Sequence, residues 1–331
     1  MGDDMNTIIV GVDGGGTKTK ISVVDEDGTV IKNAEGSNIN YNNIGVEKAF
    51  INFKQIMDQL HIDYGSVRAL SIGDPALDDI CVNPHTESFL YKIRKNLPVH
   101  PYTEIFIKSD VYMALYGFTQ GKAGVLVVSG TGSMGAAIDD SGGFYVSGGW
   151  GFPVNDTGSG YDIAVDAFKY IFTAFDKYGY HHKKTGGMLA VSALDYYGVS
   201  HPRELINCFH GEHNSRAKVA EFSKIVNYCA ERDCAQAIRI LENAGKKLAN
   251  CGCNLIGKLK YPPGCRPLVG IYGSVLVNDR FVKKSFTDQI LRKYPAAKIA
   301  VAEMPPEYAA TIYARHRMEN NVQEEYHAVY R

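Results

Sequence analysis

The 331-residue chain lacks a strong charge of either sign, a long apolar run and a secretory leader pattern. Its 35 basic and 36 acidic side chains give a formal net charge of −1, which argues against a nucleic acid or an anionic membrane as the main partner. No run of about 18 apolar residues is present, so no membrane span is predicted. The first residues contain neither a basic nor an apolar segment, and we therefore expect a cytoplasmic protein.

Cysteine is also absent in the arrangements that would indicate a disulfide framework or a metal site. The seven cysteines form no Cys-x-x-Cys pair, and their number is odd. Several fall in segments with helical spacing of apolar residues. We interpret them as reduced thiols.

Glycine, by contrast, is plentiful and clustered, in the stretches 11–16, 130–151 and 158–160. A β-branched run at 8–12 predicts a buried strand, which ends at Asp13 and a Gly-Gly-Gly turn. Glycines let backbone N–H groups converge on an oxyanion, and a carboxylate at a strand end suits a hydrated divalent cation. The stretch predicts an anion-binding turn; the alternative is an ordinary hairpin turn.

Neither glycine turn fits the familiar nucleotide motifs. Gly11 and Gly16 have the Walker separation, but Thr17 stands where that motif needs lysine, and a strand follows instead of a helix. The stretch at 130–135 contains G-x-G-x-x-G, yet a strand follows it too, whereas a dinucleotide fold would place a helix there. As a pair, the two turns suit the binding of a triphosphate from two sides.

The order strand, glycine turn, strand, acidic turn, strand occurs at 7–35 and recurs about 118 residues later. The recurrence predicts a duplicated domain in an α/β protein. The predicted domains are 1–118 and 119–304, the second with a helical insertion. A C-terminal helix within 305–331 is expected to pack back on the first domain.

Two aspartates leave a functional and a structural interpretation open. Asp110 follows a predicted strand and precedes a predicted helix at 111–117, where it suits either a general base or a helix N-cap. Asp156 follows Trp150, the only tryptophan, which lies among glycines. A tryptophan over a sugar ring with a carboxylate accepting from its hydroxyls would form a carbohydrate site. The alternative is a packed tryptophan with a capping aspartate.

Taken in order along nearly the whole chain, these motifs resemble the N-acetylglucosamine kinase family, within the BadF/BadG-type ATPases of the actin-like superfamily. The motifs are Asp13-Gly-Gly-Gly-Thr17, Asp110, Ser129-Gly-Thr-Gly-Ser133, Gly148-Gly-Trp-Gly151, Asp156-x-Gly-Ser159 and Val269-Gly-Ile-Tyr-Gly-Ser274. The resemblance implies two ribonuclease-H-like domains, with ATP and a sugar in the cleft between them, and a homodimer. It implies ATP-dependent phosphorylation of an amino-sugar hydroxyl, most consistently that of N-acetylglucosamine.

The resemblance also implies roles for single residues. Asp110 resembles the general base, and Asp13 resembles the carboxylate associated with Mg²⁺. The positions that resemble nucleotide-binding ones are Gly15, Gly16, Thr17, Lys18, Gly130, Thr131, Gly132, Gly273 and Ser274. The positions that resemble sugar-binding ones are Asn40, Asp110, Gly148, Gly149 and Asp156.

Departures from the family pattern concern the substrate more than the reaction. Asn155 and Thr157 stand where the family commonly has glycine and glutamate, and Met134 replaces a polar residue of a relative. Asp74 adds a carboxylate to a stretch next to the sugar. Glucosamine and N-acetylmuramic acid are therefore alternative acceptors.

An alternative from another class is an ATPase that activates a dehydratase or reductase by electron transfer from an iron–sulfur cluster. Cys251 and Cys253, one residue apart in a predicted helix, have a spacing that favours packing over cluster ligation.

Overall fold

The computed structural model describes residues 7–15, 17–77, 83–152, 154–179, 186–209, 215–262 and 264–319. The chain divides into two compact units, the first being Met1–Lys122 with Glu303–Arg331 and the second Ala123–Ala302. Each unit contains one five-stranded sheet with helices packed against it. The predicted α/β class is therefore confirmed.

The sheets of the two units have the same topology. The strands of unit 1 are β1 (Ile8–Gly14), β2 (Lys18–Val24), β3 (Val30–Ser37), β4 (Val67–Asp74) and β5 (Glu104–Ser109), in the order β3-β2-β1-β4-β5. Those of unit 2 are β6 (Gly124–Ser129), β7 (Ser133–Ile138), β8 (Phe144–Gly148), β9 (Leu268–Tyr272) and β10 (Lys298–Val301), in the order β10-β9-β6-β7-β8. In each sheet the first three strands form an antiparallel meander, and the last two are added parallel to the first. The same strand order in both sheets is what a duplicated domain would have.

The helices lie between and after the strands. They are α1 (Tyr41–Ile44), α2 (Val46–Gln59), α3 (Pro84–Asn96), α4 (Asp110–Thr119), α5 (Gly160–Tyr178), α6 (Gly187–Tyr197), α7 (Arg216–Ala230), α8 (Ala235–Lys258), α9 (Ser274–Asn278), α10 (Arg280–Lys293) and α11 (Pro306–Glu319). Tyr64–Ser66 and Pro202–Phe209 are 3₁₀ helices.

Local sequence explains where two of these helices begin. Helix α3 begins at Pro84, because Asn83 accepts a hydrogen bond from the His85 N–H and Pro84 suits the first helical position. Helix α9 begins at Ser274, and its N-cap is Gly273.

Each unit has its own apolar core. In unit 1 the core lies between the sheet and helices α2 and α3, with Val10, Phe53 and Phe89 fully buried. In unit 2 the sheet packs on the long helix α8, and Phe168 of α5 and Phe222 of α7 stack with ring centroids 4.8 Å apart. These cores hold the strands in register, and the strands fix where the polar residues at their ends lie.

Helix α11 packs on β1, β2 and β4 in unit 1, although more than 200 residues separate it from those strands in the chain. Gly11 makes this contact possible. A Cβ atom at Gly11 would lie 2.1 Å from the Glu307 carbonyl oxygen and 2.6 Å from Cγ2 of Thr311. The close approach brings the first turn of α11 beside the strand that carries Asp13.

Candidate active site

The carboxyl ends of three parallel strands bring Asp13 and Asp110 together in unit 1. Asp13 of β1 pairs with Gly73 of β4, and Gly73 pairs with Lys108 of β5, two residues before Asp110. A Cβ atom at Gly73 would lie 3.4 Å from the Asp110 α-carbon and 3.2 Å from the Val12 carbonyl oxygen. Glycine at this position therefore lets the two acidic side chains share one edge of the sheet.

The pKa of Asp13 is consistent with its position close to Asp110. The pKa of Asp13 rises from 3.8 to about 7, first because burial penalises the charged carboxylate, and then because Asp110 and Glu307 add negative charge nearby. The charge of Lys20 acts in the opposite direction and does not cancel the rise. A carboxylate so placed gains from a bound cation.

Glu307 is a member of this acidic group that sequence reasoning missed. It lies in the first turn of α11, and its buried Oε2 has no hydrogen-bond partner among the described residues. The Pro305-Pro306-Glu307 sequence marks a helix start, but its contact with β1 is a tertiary one. The clue in the sequence was Gly11, a glycine inside a buried strand, which often indicates close approach of another backbone.

Asp110 does not cap helix α4. Ser109 is the N-cap, since its hydroxyl oxygen accepts from the Tyr112 N–H at 3.2 Å. Asp110 is the first helical residue, and its Oδ1 accepts from the Val111 N–H at 2.7 Å. The structural alternative for Asp110 as N-cap is therefore wrong, and Ser109 holds the residue at the strand-to-helix junction.

The first glycine turn is described only in part, because Gly16 lies outside the described residues. Thr17 and Lys18 are exposed. Lys18 forms an ion pair with Glu35 across β2 and β3, with 3.0 Å between Nζ and Oε2. Gly15 lies where a Cβ atom would meet the Lys18 carbonyl oxygen at 2.8 Å. Gly15 and Lys18 are thus in close contact, and the Thr17 hydroxyl and the Lys18 ammonium are accessible.

Asn40 and Asp74 have structural partners in the same unit. Asn40 caps α1 by accepting from the Asn42 N–H, and its Nδ2 donates to the Pro75 carbonyl at 3.4 Å. Asp74 is completely buried, and its Oδ1 accepts from the Ala76 N–H at 2.8 Å. The Asp74 carboxylate, which departs from the family pattern, therefore stabilises the turn after β4. Asn40, in contrast, is partly exposed.

The second glycine turn, Gly130 to Gly132 between β6 and β7, is fixed by backbone hydrogen bonds. Gly130 N–H donates to the Gly132 carbonyl, and Gly160 N–H donates to the Gly130 carbonyl at 2.8 Å. The hydroxyls of Ser129 and Ser133 donate to the carbonyls of residues 158 and 157. Thr131, at the tip of the turn, is exposed.

Gly273 and Ser274 lie beside this second turn. A Cβ atom at Gly273, whose φ is +88°, would lie 2.4 Å from the Ser129 carbonyl oxygen, and one at Gly130 would lie 3.9 Å from the Ser274 hydroxyl. The structure therefore brings together two stretches that the sequence predicted to bind the nucleotide.

A cavity of about 230 Å³ opens next to Ser274. Lys224, Asn227 and Asp279 are among its lining residues, and Asn227 donates to Asp279 at 2.7 Å. Ile163 and Val275 add apolar surface to these polar groups, and a lining with both kinds of side chain suits a small molecule.

The loop after β8 exposes Trp150, so the packed-tryptophan alternative is wrong. Gly148 and Gly149 have φ values of +74° and +73°, and 80% of the Trp150 surface is accessible. Phe152 and Val154 are exposed as well. The loop therefore presents an apolar surface on unit 2.

Asp156 is buried and forms an ion pair with Arg216, the first residue of α7. Burial raises the pKa of the Asp156 carboxyl, and the guanidinium of Arg216 opposes the rise. The cap of α5 is Ser159, which accepts from the Asp162 N–H, so the capping alternative for Asp156 is wrong. Arg216 is a second site residue that sequence reasoning missed.

A magnesium ion fits the residues of unit 1 only as a partly hydrated ion that also binds phosphate. Within the described part of the chain, no group of three His, Cys, Asp or Glu side chains is arranged to hold a metal ion. Mg²⁺ commonly keeps several waters and binds one or two carboxylates together with substrate phosphates. Asp13, with its raised pKa, offers one such carboxylate.

The cysteine pair of α8 has no cluster-like arrangement in the structure. Cys251 is half-buried next to Gly135 and donates to the Ser147 carbonyl at 3.2 Å, and Cys253 is buried. No helix in the described ranges is long and apolar enough to cross a membrane.

Comparison with known protein families identifies the family of this chain. The model of the BadF/BadG/BcrA/BcrD ATPase family matches residues 10–313. The chain belongs to this ATPase family. The match spans both glycine turns, Asp110, Asp156 and the Gly273–Ser274 stretch, so the family resemblance seen in the sequence is confirmed.

Two curated relatives are similar to this chain over nearly its whole length and over nearly the whole of their own. The N-acetylmuramic acid/N-acetylglucosamine kinase of Clostridium acetobutylicum is 25% identical, over 93% of this chain and 98% of its own. The N-acetyl-D-glucosamine kinase of Dictyostelium discoideum is 28% identical, over 93% and 97%.

A solved structure from Chromobacterium violaceum, described as a candidate N-acetylglucosamine kinase, shares the fold. It superposes with a TM-score of 0.68 at 21% identity and covers 93% of this ATPase-family chain and 99% of its own. The predicted fold of two ribonuclease-H-like domains is therefore confirmed.

Proposed function

We propose that this ATPase-family protein transfers the terminal phosphoryl group of ATP to a hydroxyl of an amino sugar, most consistently N-acetylglucosamine. The observation that carries the proposal is that Asp13 and Asp110 lie close together at one edge of the sheet. Phosphoryl transfer needs a metal-binding carboxylate and a base, and the two residues can supply them. The activities of the two whole-length relatives support the substrate class.

In the proposed mechanism Asp13 would hold a hydrated Mg²⁺, which neutralises charge on the phosphates. Asp110 accepts the proton of the attacking sugar hydroxyl. Backbone N–H groups of the turns at 15–18 and 130–132 bind phosphate oxygens, and Gly273 and Ser274 contact the adenosine part.

The sugar is assigned to Asn40, Gly148, Gly149 and Asp156, which offer an amide, a glycine backbone and a carboxylate to its hydroxyls and acetamido group. The exposed face of Trp150 in the same loop suits contact with an apolar sugar face. N-Acetylmuramic acid remains a second acceptor, since the Clostridium relative is named for both sugars.

The test is ADP release with MgATP and a panel of N-acetylglucosamine, N-acetylmuramic acid, glucosamine and glucose. We expect an N-acetylated hexosamine to raise turnover well above the rate without sugar, and ³¹P NMR of the product to identify the phosphorylated hydroxyl. If no hexosamine raises turnover, the proposal is wrong.

Asp110→Asn should lower kcat by about 10²–10⁴-fold, the usual contribution of a general base, while ATP affinity stays unchanged. The matched control is Asp27→Asn, an exposed aspartate of the same unit in the β2–β3 turn. Unchanged turnover in Asp110→Asn would remove Asp110 from the mechanism.

A further inference from the structure

The guanidinium of Arg216 lies on the second glycine turn. Its Nη2 pairs with Oδ2 of Asp156, and a Cβ atom at Gly132 would lie 1.6 Å from that same Nη2. The Asp156 carboxylate is also close, at 3.1 Å from the same Cβ position. Only a glycine at 132 leaves room for an arginine in direct contact with the turn.

The hydrogen bonds of this guanidinium are incomplete. An arginine has five N–H donors, and the buried Nε of Arg216 has no acceptor among the described residues. The ring of Phe152 lies 5.5 Å from the guanidinium carbon and offers no acceptor oxygen. A guanidinium with spare donors beside a turn of glycine N–H groups is suited to a phosphate.

The Asp156 carboxylate is held by Arg216 and also accepts from the Ser133 backbone N–H. Asp156 is buried, and its carboxylate is one of the groups assigned above to the sugar. While Arg216 occupies one of its oxygens, that oxygen is not available to a sugar hydroxyl. The ion pair therefore occupies both an N–H donor of Arg216 that could bind a phosphate and an oxygen of Asp156 that could bind a sugar hydroxyl.

We propose that Arg216 binds the terminal phosphate of the nucleotide at the Gly130–Gly132 turn, and that it gives up its bond with Asp156 to do so. This inference rests on the proposed function, because it takes the turn as the phosphate site. Nucleotide binding then frees the Asp156 carboxylate for the sugar. Arg216 acts as a specificity residue for nucleotides with several phosphates.

Opposite effects of two substitutions distinguish this role from a purely structural ion pair. Calorimetric titration without sugar, with the Mg²⁺ complexes of ATP and ADP and with AMP, measures the affinities. Arg216→Met should weaken ATP binding by about ten-fold or more and leave AMP binding nearly unchanged. Asp156→Asn removes the competing carboxylate and should tighten ATP binding.

Two further variants guard against misfolding and general effects. Arg216→Lys keeps the charge but loses the planar fork, so ATP affinity should fall by less than in Arg216→Met. The control is Arg232→Met, since Arg232 stacks on the Tyr228 ring at the other end of α7. It should bind all three nucleotides like the wild type.

Equal weakening of ATP and AMP by Arg216→Met would overturn the proposal, and so would weaker ATP binding in both Arg216→Met and Asp156→Asn. The sugar assay keeps the two proposals separate. If no sugar is phosphorylated but Arg216→Met still loses ATP selectively, the kinase assignment fails and the role of Arg216 stands. If the wild type phosphorylates a hexosamine and Arg216→Met binds ATP normally, only the role of Arg216 fails.

Discussion

Replacing Asp13 with asparagine is expected to stabilise the metal-free protein while removing its activity. The pKa of Asp13 is about 7 in the folded chain against an ordinary value of 3.8, a difference of about three. One pKa unit corresponds to about 1.4 kcal/mol, so full ionisation of Asp13 costs the folded state about 4 kcal/mol. Water and local relaxation reduce this cost, and we expect a gain of about 2 to 4 kcal/mol.

The gain has a defined dependence on pH. Unfolded Asp13 titrates near 3.8, whereas the folded residue keeps its proton up to about pH 7. Below about pH 4 both states are protonated, so the substitution changes little. Between about pH 4 and 7 the folded state binds the extra proton, and the stability of the wild type falls as pH rises. The advantage of Asp13→Asn therefore grows across this window and is complete above about pH 7.

The measurement has to report on unit 1 alone. The only tryptophan, Trp150, lies in unit 2, so its fluorescence would follow the wrong part of the chain. Hydrogen exchange of peptides from β1 and β4, in EDTA at about pH 5 and pH 8, gives the opening free energy of unit 1 directly. Intrinsic exchange rates at each pH are taken from the unfolded chain.

Asp27→Asn is the control, because it removes an acid of the same unit from an exposed turn. At pH 8, equal opening free energies for the wild type and Asp13→Asn would refute the reasoning. Mg²⁺ with ADP should recover stability in the wild type and add less to Asp13→Asn, which has lost the carboxylate that gains from the cation.

Ser109→Ala removes the N-cap of α4 and should lower the free energy of unfolding by about 1 kcal/mol. Because Asp110 is the next residue, kcat should fall by a larger factor than the KM for ATP rises. Ser109→Thr should restore both the stability and kcat, as measured in unfolding and kinetic assays. Gly273→Ala places a methyl group 2.4 Å from the Ser129 carbonyl oxygen, at a φ of +88°. The free energy of unfolding of unit 2, followed by tryptophan fluorescence, should fall by about 1–3 kcal/mol, and the KM for ATP should rise. Gly142→Ala, at a φ of +84° with no neighbour within 4 Å, isolates the backbone cost, and an equal loss there would show that contact with Ser129 is unimportant.

The sequence predicted those parts of the fold that depend on neighbouring residues. The strand before Asp13, the meander that follows and the repeat of that pattern are local, and all three appear in the structure. Asp13 and Asp110 were each predicted at the end of a strand, and the structure shows that these strand ends lie at one edge of the sheet. Single residues at junctions were less certain, since Ser109 and Asp110 are both good helix caps and only the geometry selects between them.

The missed residues depend on contacts between distant parts of the chain. Glu307 reaches Asp13 because α11 packs against Gly11, and Arg216 reaches Gly132 from the start of α7. Neither lies in a motif, and spacing along the sequence carries no information on either contact. The exposure of Trp150 likewise follows from how the loop leaves β8 and not from its glycine neighbours alone.

The return of α11 to the first sheet has a consequence for the order in which the protein forms during synthesis. Unit 2 is one continuous segment and can fold as soon as it leaves the ribosome, whereas unit 1 needs a helix that is made more than 180 residues after its last strand-forming residue, Ser109. Until α11 arrives, the part of the first sheet that it covers on β1, β2 and β4 is exposed, and Glu307 is not beside Asp13. The acidic group that makes Asp13 receptive to a cation is therefore assembled late, by a part of the chain that belongs to neither glycine turn.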